Sequence, residues 1–297
     1  MLLDIEKFSN ILNNSISTEY KISNWKQYRN NIMKFIKSNI DLNEVSSTAV
    51  FATGDAGDIS LKFLLNNFKE ILLTDISKKL LYKGLQKQLP EKSKKISLKT
   101  FDYTGLEQNN FYQKIINSLQ NNENIKKIKI NISKEMDSIN FNSLCKNIKK
   151  TYDIIISLPI YTQLFYQHFI AILDYYNINQ EYSDEKINNF KNFILNRMPI
   201  IINNYNKLLH YTVKNNGFLV ALIDMLEYKN SSNILRKIKT TRSNNLIESE
   251  IEKHSYGISS YGIDNLKKYF QKRSSKYLVW PFNEKRSFIV KALLFKK

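Results

Sequence analysis

The apolar positions of the chain change period repeatedly between helix and strand spacing. From Trp25 to Ile40 they recur every three to four residues, which predicts one buried helix face. Short apolar runs then predict strands, and helix-period segments lie between them; the strands are expected at 48–52, 71–74, 96–101, 152–157 and 218–223. This alternation predicts a mostly parallel sheet with helices on both faces.

The second half of the chain carries longer apolar segments and a closing pair of strands. Two apolar-rich helices are predicted at about 163–176 and 183–213, with a turn at Asn216-Gly217 before the strand that follows. Residues 229–260 are polar and predict a loop with a helix inside it, followed by a helix at 263–270. The last runs, 277–282 and 287–295, flank Asn283-Glu284-Lys285-Arg286 and predict a hairpin.

One segment has apolar residues at every second position, unlike the helix-period segments around it. Ile128, Ile130 and Ile132 alternate with lysine and asparagine, which predicts a short peripheral strand with one wet face. We find no internal repeat and no clear linker. The expected organisation is an N-terminal helical extension at 1–24 and one domain at 25–297, with a helical insertion near 163–213 and a polar insertion near 229–260.

The net positive charge of the chain makes nucleic acid a candidate partner. The chain has 45 Lys and Arg against 27 Asp and Glu, a formal net charge of +18, which favours attraction to phosphates. The lysines are scattered among asparagine and isoleucine, a pattern that a biased codon pool also produces. A solvated surface and a nucleic-acid interface therefore both stay open, and the best local phosphate-facing candidate is the group Arg236, Lys237, Lys239 and Arg242.

Cysteine and histidine usage excludes several kinds of site. Cys145 is the one cysteine, so an intrachain disulfide or a cysteine-based zinc site cannot form. His168, His210 and His254 lack metal-ligand spacing, and His254 is the one we would test as a base. The N-terminus lacks signal-peptide order and no apolar run reaches membrane-span length, so we expect a cytoplasmic protein.

The candidate chemistry lies where the first two predicted strands end. The segment Phe51-Ala52-Thr53-Gly54-Asp55-Ala56-Gly57-Asp58 forms a glycine-containing turn between a strand and a helix. Such a turn brings backbone N–H groups close to a ligand. Asp75 ends the second strand 21 residues after Gly54, where an acidic side chain can accept hydrogen bonds from ribose hydroxyls. Together they predict a nucleoside-cofactor site.

With these residues, the chain resembles the class I S-adenosylmethionine-dependent methyltransferases over roughly residues 25–297. The resemblance implies a Rossmann-like, seven-stranded, mostly parallel sheet with helices on both faces, closed by a C-terminal hairpin whose last strand is antiparallel. It implies a methyltransferase with S-adenosylmethionine as cofactor and an N or O acceptor. Small molecules, peptide products, RNA and DNA all stay open as acceptors.

The resemblance also implies roles for individual residues. Thr53, Gly54, Asp55 and Gly57 match the turn under the methionine part of the cofactor, and Asp55 or Asp58 would meet its amino group. Asp75 with Ile76 would bind the ribose, and Asp102 with Tyr103 the adenine. Ser157 and Tyr161 lie at the fourth-motif position and are candidates for the catalytic role, Ser157 also for cofactor contact.

Two departures from the family pattern keep a second function open. Ala56 stands where a further glycine is usual, and Leu158-Pro159-Ile160-Tyr161 lacks the polar first residue of the amino-group methyltransferases. We expect close approach at Ala56 if its φ is negative. A non-catalytic cofactor- or nucleic-acid-binding module on a decayed scaffold is therefore the alternative, and a nicotinamide-dependent dehydrogenase is a weaker one.

Overall fold

The computed structural model describes residues 18–89, 93–146, 148, 150–175, 182–241, 244–253 and 257–297. Seven strands form one sheet: β1 Ser47–Phe51, β2 Glu70–Asp75, β3 Ile96–Thr100, β4 Tyr152–Ser157, β5 Val213–Lys229, β6 Gln271–Trp280 and β7 Arg286–Lys296. Their order across the sheet is β3-β2-β1-β4-β5-β7-β6. Strands β1 to β5 are parallel, and β7 is antiparallel to both β5 and β6. The predicted fold class is confirmed.

The described helices surround this sheet. In chain order they are α1 Thr18–Asn24, α2 Lys26–Asn39, α3 Leu61–Asn67, α4 Lys78–Gln88, α5 Phe111–Gln120, α6 Ile125–Asp137, α7 Phe141–Lys146, α8 Tyr166–Tyr175, α9 Asp184–Thr212, α10 Asn233–Thr241, α11 Asn244–Lys253 and α12 Ile258–Leu266, with a 3-10 turn at Leu106–Asn109. None of them is both long enough and apolar enough to cross a bilayer.

Alternating side chains of the central strands supply two cores, one on each face of the sheet. Phe51 and Ile155 pack with α5, α8 and α9 on one face. Val50 and Ile156 pack with α2, α3 and α4 on the other, where Tyr28 and its neighbours on α2 are buried as the helix period predicted. Such two-sided burial suits nearly all-apolar parallel strands.

The peripheral strand predicted from Ile128, Ile130 and Ile132 is wrong, because this segment is helix α6. Ile128 and Ile132 are each 1% exposed, whereas Ile130 is 55% exposed. The informative spacing was therefore i, i+4, continued at the buried Met136, and alternation with lysine was coincidental.

Two further expectations need correction. Asn216-Gly217 is not a turn before a strand but a bulge within β5, where the pairing with β4 shifts between Tyr152 and Ile154. Asn216 has φ +63°, and a Cβ on Gly217 would lie 2.8 Å from the Asp153 carbonyl oxygen, so the bulge needs glycine there. Residues 229–260 hold two described helices, α10 and α11, instead of one within a loop, and the predicted 263–270 helix begins earlier, as α12.

Candidate functional site

The turn after β1 is held in a strained backbone conformation. Ala52, Gly54 and Ala56 have φ values of +61°, +54° and +56°. The negative φ on which close approach at Ala56 was conditional is therefore not present. Left-handed backbone costs an alanine about 1–2 kcal/mol, so the surrounding structure must hold it. Hydrogen bonds do so: Thr53 N–H donates to the Thr74 carbonyl at 2.9 Å, and Ala56 N–H to the Thr53 carbonyl at 2.8 Å.

Asp75 connects this turn to the end of β2. Its Oδ2 accepts from the Gly54 N–H at 2.8 Å, and its Oδ1 accepts from the Ser77 N–H at 2.9 Å. Burial raises the pKa of Asp75 to about 6, although these backbone hydrogen bonds oppose the shift. Asp75, which was predicted to bind the ribose, is thus held against the glycine turn by its own hydrogen bonds.

The end of β3 lies against the same turn. The Tyr103 hydroxyl accepts from the Ala52 N–H at 2.7 Å and lies 2.8 Å from Thr74 Oγ1. Asp102 Oδ1 accepts from the Thr104 N–H at 2.8 Å, and Oδ2 accepts from the Glu107 N–H at 3.0 Å. The segment after Asp102 is therefore also a hydrogen-bonded turn, and that turn fixes the position of the carboxylate.

A lysine from the N-terminal segment closes the other side of the turn. Lys21 Nζ, on α1, lies 3.1 Å from both carboxylate oxygens of Asp55, and both side chains are buried. Arg29 supports α1 from α2 by donating to the Lys21 carbonyl and, at 2.8 Å, to the Gly57 carbonyl. The sequence carried no local signal for Lys21, because its partner lies 34 residues away.

Gly84 was also missed, since a glycine inside a helix has no motif. An ideal Cβ at Gly84 on α4 would lie 2.5 Å from the carbonyl carbon and oxygen of Asp55. Only glycine therefore lets α4 approach the underside of the turn.

We expect Gly84→Ala to destabilise the protein by about 1–3 kcal/mol, because the added methyl group must displace backbone. Urea unfolding followed by circular dichroism measures this. Gln86→Ala, at an exposed position on the same helix, is the matched control and should change stability little. Equal stability of the two variants would contradict the close approach.

These segments enclose a cavity of about 360 Å³ at the carboxyl edge of the sheet. Seven of the predicted cofactor-binding residues line it together: Thr53, Gly54, Asp55, Asp75, Ile76, Asp102 and Tyr103. Gly57, Ser157 and Tyr161 are not among the lining residues. Ser157 Oγ lies 2.7 Å from the Tyr205 hydroxyl, and the Tyr161 hydroxyl donates to Asn206 Oδ1 at 2.8 Å, both inside the core.

The cavity is acidic in a basic protein. Six acidic side chains line it, against two of the chain's 45 Lys and Arg residues: Asp55, Asp58, Asp75, Asp102, Asp224 and Glu227, against Lys21 and Arg286. The Oδ1 atoms of Asp58 and Asp224 are buried without a hydrogen-bond partner among the described residues. Burial raises the pKa of Asp58 to about 7 and that of Asp224 to about 6. Such a lining favours a cationic ligand.

Asp224 was not predicted, although a signal for it exists. It directly follows Ile223 of the apolar run in β5, as Asp75 follows Thr74 of β2. Register places Ala221 beside Ser157, so Asp224 extends beyond the end of β4.

We expect the buried carboxyl group of Asp58 to lower the free energy of unfolding above pH 7. Its pKa is raised from 3.8 to about 7, so the folded state favours the protonated form and loses stability as pH rises through this interval. We expect Asp58→Asn to stabilise the protein at pH 8 by about 1–3 kcal/mol, and by less at pH 5. Urea unfolding at both pH values, with the exposed Asp264→Asn as control, measures this; a variant less stable than wild type at pH 8 would contradict it.

The histidines differ in their relation to the cavity. His168 lines it, and burial lowers its pKa to about 4, against the smaller opposing effect of the Gln163 backbone. It is therefore neutral at pH 7. His210 packs against Tyr269 and Phe270, outside the lining, and His254 lies outside the described residues. In the described part of the chain, no three His, Cys, Asp or Glu side chains are placed to hold a metal ion.

Comparisons with known proteins find likeness in structure only. No family model matches the chain, and no curated protein sequence matches it. Among solved structures, the chain is similar to the N-methyltransferase NodS from Bradyrhizobium japonicum WM9 in complex with S-adenosyl-L-homocysteine, at 10% identity over 95% of this chain and 93% of that one, with a TM-score of 0.43.

Two further solved structures are similar to the same extent. One is magnesium protoporphyrin IX methyltransferase from Synechocystis, at 11% identity over 90% and 81% of the two chains, with a TM-score of 0.42. The other is a SAM-dependent methyltransferase from Methanosarcina mazei, at 9% identity over 89% and 96%, with a TM-score of 0.44.

Proposed function

We propose that the chain is an S-adenosylmethionine-dependent methyltransferase that acts on a nitrogen or oxygen acceptor. One observation carries this proposal. The glycine turn, the Asp75 carboxylate and the Asp102–Tyr103 segment meet around one cavity at the carboxyl edge of the sheet. Ligands of open α/β sheets bind at this edge.

The residues present fit the ribose of the cofactor. A carboxylate offers about four acceptor positions. The Asp75 carboxylate accepts hydrogen bonds from the backbone N–H groups of Gly54, Ser77 and Ile76. Asp75 therefore keeps acceptor capacity for a ribose hydroxyl, and it lines the cavity.

The residues also fit the charged methionine part and the adenine ring of the cofactor. The unpartnered Oδ1 of Asp58 would accept from the amino group of the methionine moiety, and this ionic partner would offset the cost of burying a lone carboxylate. Asp102 Oδ2, which accepts one backbone hydrogen bond from Glu107, would accept from the adenine amino group.

The chain's own part in the reaction is binding and orientation. When bound, S-adenosylmethionine supplies a methyl group on a positively charged sulfur, which is already electrophilic. The acidic lining would stabilise that positive charge, and the apolar side chains of Trp25, Ile160 and Leu164 line the same cavity. Holding the acceptor in line is the remaining requirement.

The non-catalytic module remains the second candidate, because Ala56 is a departure from the glycine pattern and is strained at φ +56°. Differential scanning fluorimetry and calorimetry with S-adenosylhomocysteine and with NAD⁺ test which cofactor the chain binds, and detection of a methylated product distinguishes an enzyme from a module that binds the cofactor without catalysis. We expect S-adenosylhomocysteine to stabilise the protein by about 2.7 kcal/mol at a hundred times its Kd, and NAD⁺ to have no effect. Stabilisation by NAD⁺ alone, or by neither, would overturn the methyltransferase proposal.

A further inference from the structure

A second cavity, of about 610 Å³, adjoins the first. The two share five lining residues: Thr162, Gln167, Asp224, Glu227 and Phe288. Beyond this junction the walls are mostly apolar. Leu195, Met198 and Ile202 come from α9, and Ile258 comes from α12. An apolar cavity with a few convergent polar groups, adjoining the cofactor cavity, is the arrangement expected of an acceptor site.

The charged groups at the junction are hydrogen-bond acceptors. Asp224 Oδ1 has no partner among the described residues, and Oδ2 accepts from Thr162 Oγ1 at 3.3 Å. Glu227 Oε1 lies 3.1 Å from Arg286 in an exposed ion pair, so Asp224 is the buried carboxylate at the junction. Burial raises the pKa of Asp224 to about 6, which leaves it ionised at pH 8.

Aromatic rings complete the environment. Tyr166, Tyr261 and Phe288 all line the second cavity. Ring faces attract cations as well as apolar groups. A carboxylate beside aromatic walls is therefore complementary to a protonated amine on an apolar body.

We infer that the second cavity binds the methyl acceptor, and that this acceptor is a small molecule with an amino group on an aromatic or aliphatic body, held by Asp224. The inference rests on the proposed function and deepens it. A polyanion does not fit these walls. Of the predicted phosphate-facing group, Arg236, Lys237 and Lys239 of α10 line neither cavity and Arg242 lies outside the described residues, while the junction carries two carboxylates. RNA or DNA would meet repulsion at the point of transfer.

A matched probe series tests the charge of the ligand. 3-Phenylpropylamine, 3-phenylpropan-1-ol and 3-phenylpropionate share one apolar body and carry a positive, no and a negative charge. Binding is measured by calorimetry or ligand-observed NMR at pH 8, with and without saturating S-adenosylhomocysteine. We expect the amine to bind with a Kd of about 1 mM, as its size allows, and at least about tenfold more tightly than the alcohol.

Three variants locate the binding. Asp224→Asn should weaken the amine by about tenfold and leave the alcohol unchanged, because it removes the charge and keeps the shape. Ile258→Trp should exclude the amine and the alcohol by filling the cavity. Asp264→Asn, at an exposed position on α12, is the matched control and should bind the amine as wild type does. Ile258→Trp and Asp264→Asn should keep the wild-type Kd for S-adenosylhomocysteine. Asp224 also lines the cofactor cavity, so its variant is judged by the ratio of amine affinity to alcohol affinity.

The outcomes separate the two proposals. If S-adenosylhomocysteine binds but the carboxylate or the alcohol binds as well as the amine, or the amine does not bind, the acceptor inference is overturned and the methyltransferase proposal stands. Amine binding unaffected by Asp224→Asn overturns it too, as does salt-sensitive binding of a short RNA that competes with the amine. If S-adenosylhomocysteine does not bind wild type, the methyltransferase proposal itself fails.

Discussion

Replacing Asp75 by asparagine should weaken S-adenosylhomocysteine binding by about 50-fold. The carboxylate has two roles: Oδ1 and Oδ2 accept from Ser77 and Gly54, and the remaining acceptor capacity faces the cavity. An amide keeps one acceptor oxygen and places an NH₂ group against a backbone donor. The lost charge-assisted hydrogen bond corresponds to about 2–3 kcal/mol. Isothermal calorimetry at pH 8 measures the change.

The pH profile of the same variant distinguishes a ligand contact from a change in fold. Because the pKa of Asp75 is about 6, its carboxylate takes up a proton as pH falls from 8 to 5. We expect the wild-type Kd to rise by about tenfold over this range, and the Asp75→Asn profile to be flatter. Asp58, with a pKa of about 7, also titrates, so Asp58→Asn is measured alongside. The exposed Asp174→Asn is the control. Undiminished binding by Asp75→Asn would remove this residue from the site.

The sequence predicted the part of the site that strand ends determine. Apolar runs locate the carboxyl ends of β1, β2 and β3, and parallel strands bring those ends to one edge. Gly54, Asp75 and Asp102 were therefore predicted to converge, and they line one cavity. Asp224 directly follows the apolar run of β5, so the same reasoning could have predicted it from the sequence.

What the sequence did not predict depends on contacts between distant segments. The approach of α4 at Gly84 and the pairing of Lys21 with Asp55 depend on how helices pack, which no local period encodes. Ser157 and Tyr161 were placed by motif position, but their hydroxyls are used within the core by Tyr205 and Asn206. In α6, the solvent-exposed Ile130 lies between the buried Ile128 and Ile132, so the three residues imitated the alternation of a strand.

The buried Lys21–Asp55 pair should be among the most sensitive features of the molecule. Each side chain is about 7% exposed or less, and Lys21 Nζ lies 3.1 Å from both carboxylate oxygens. The positive charge of Lys21 also lowers the pKa of Asp58, against the larger effect of burial. Removing Lys21 leaves two buried carboxylates beside the glycine turn without this cation.

We expect Lys21→Met to destabilise the protein by about 3–5 kcal/mol at pH 8, because the buried Asp55 carboxylate keeps its desolvation cost and loses its ion pair with Lys21. Lys26→Met, exposed on α2, is the matched control and should change little. The double variant Lys21→Met, Asp55→Leu should recover much of the loss, since an apolar pair of similar size replaces both charges. Urea unfolding of wild type, Lys21→Met, Asp55→Leu and the double variant measures the coupling. Additive losses would mean that the two side chains act independently, and that α1 is held at the cavity by other contacts.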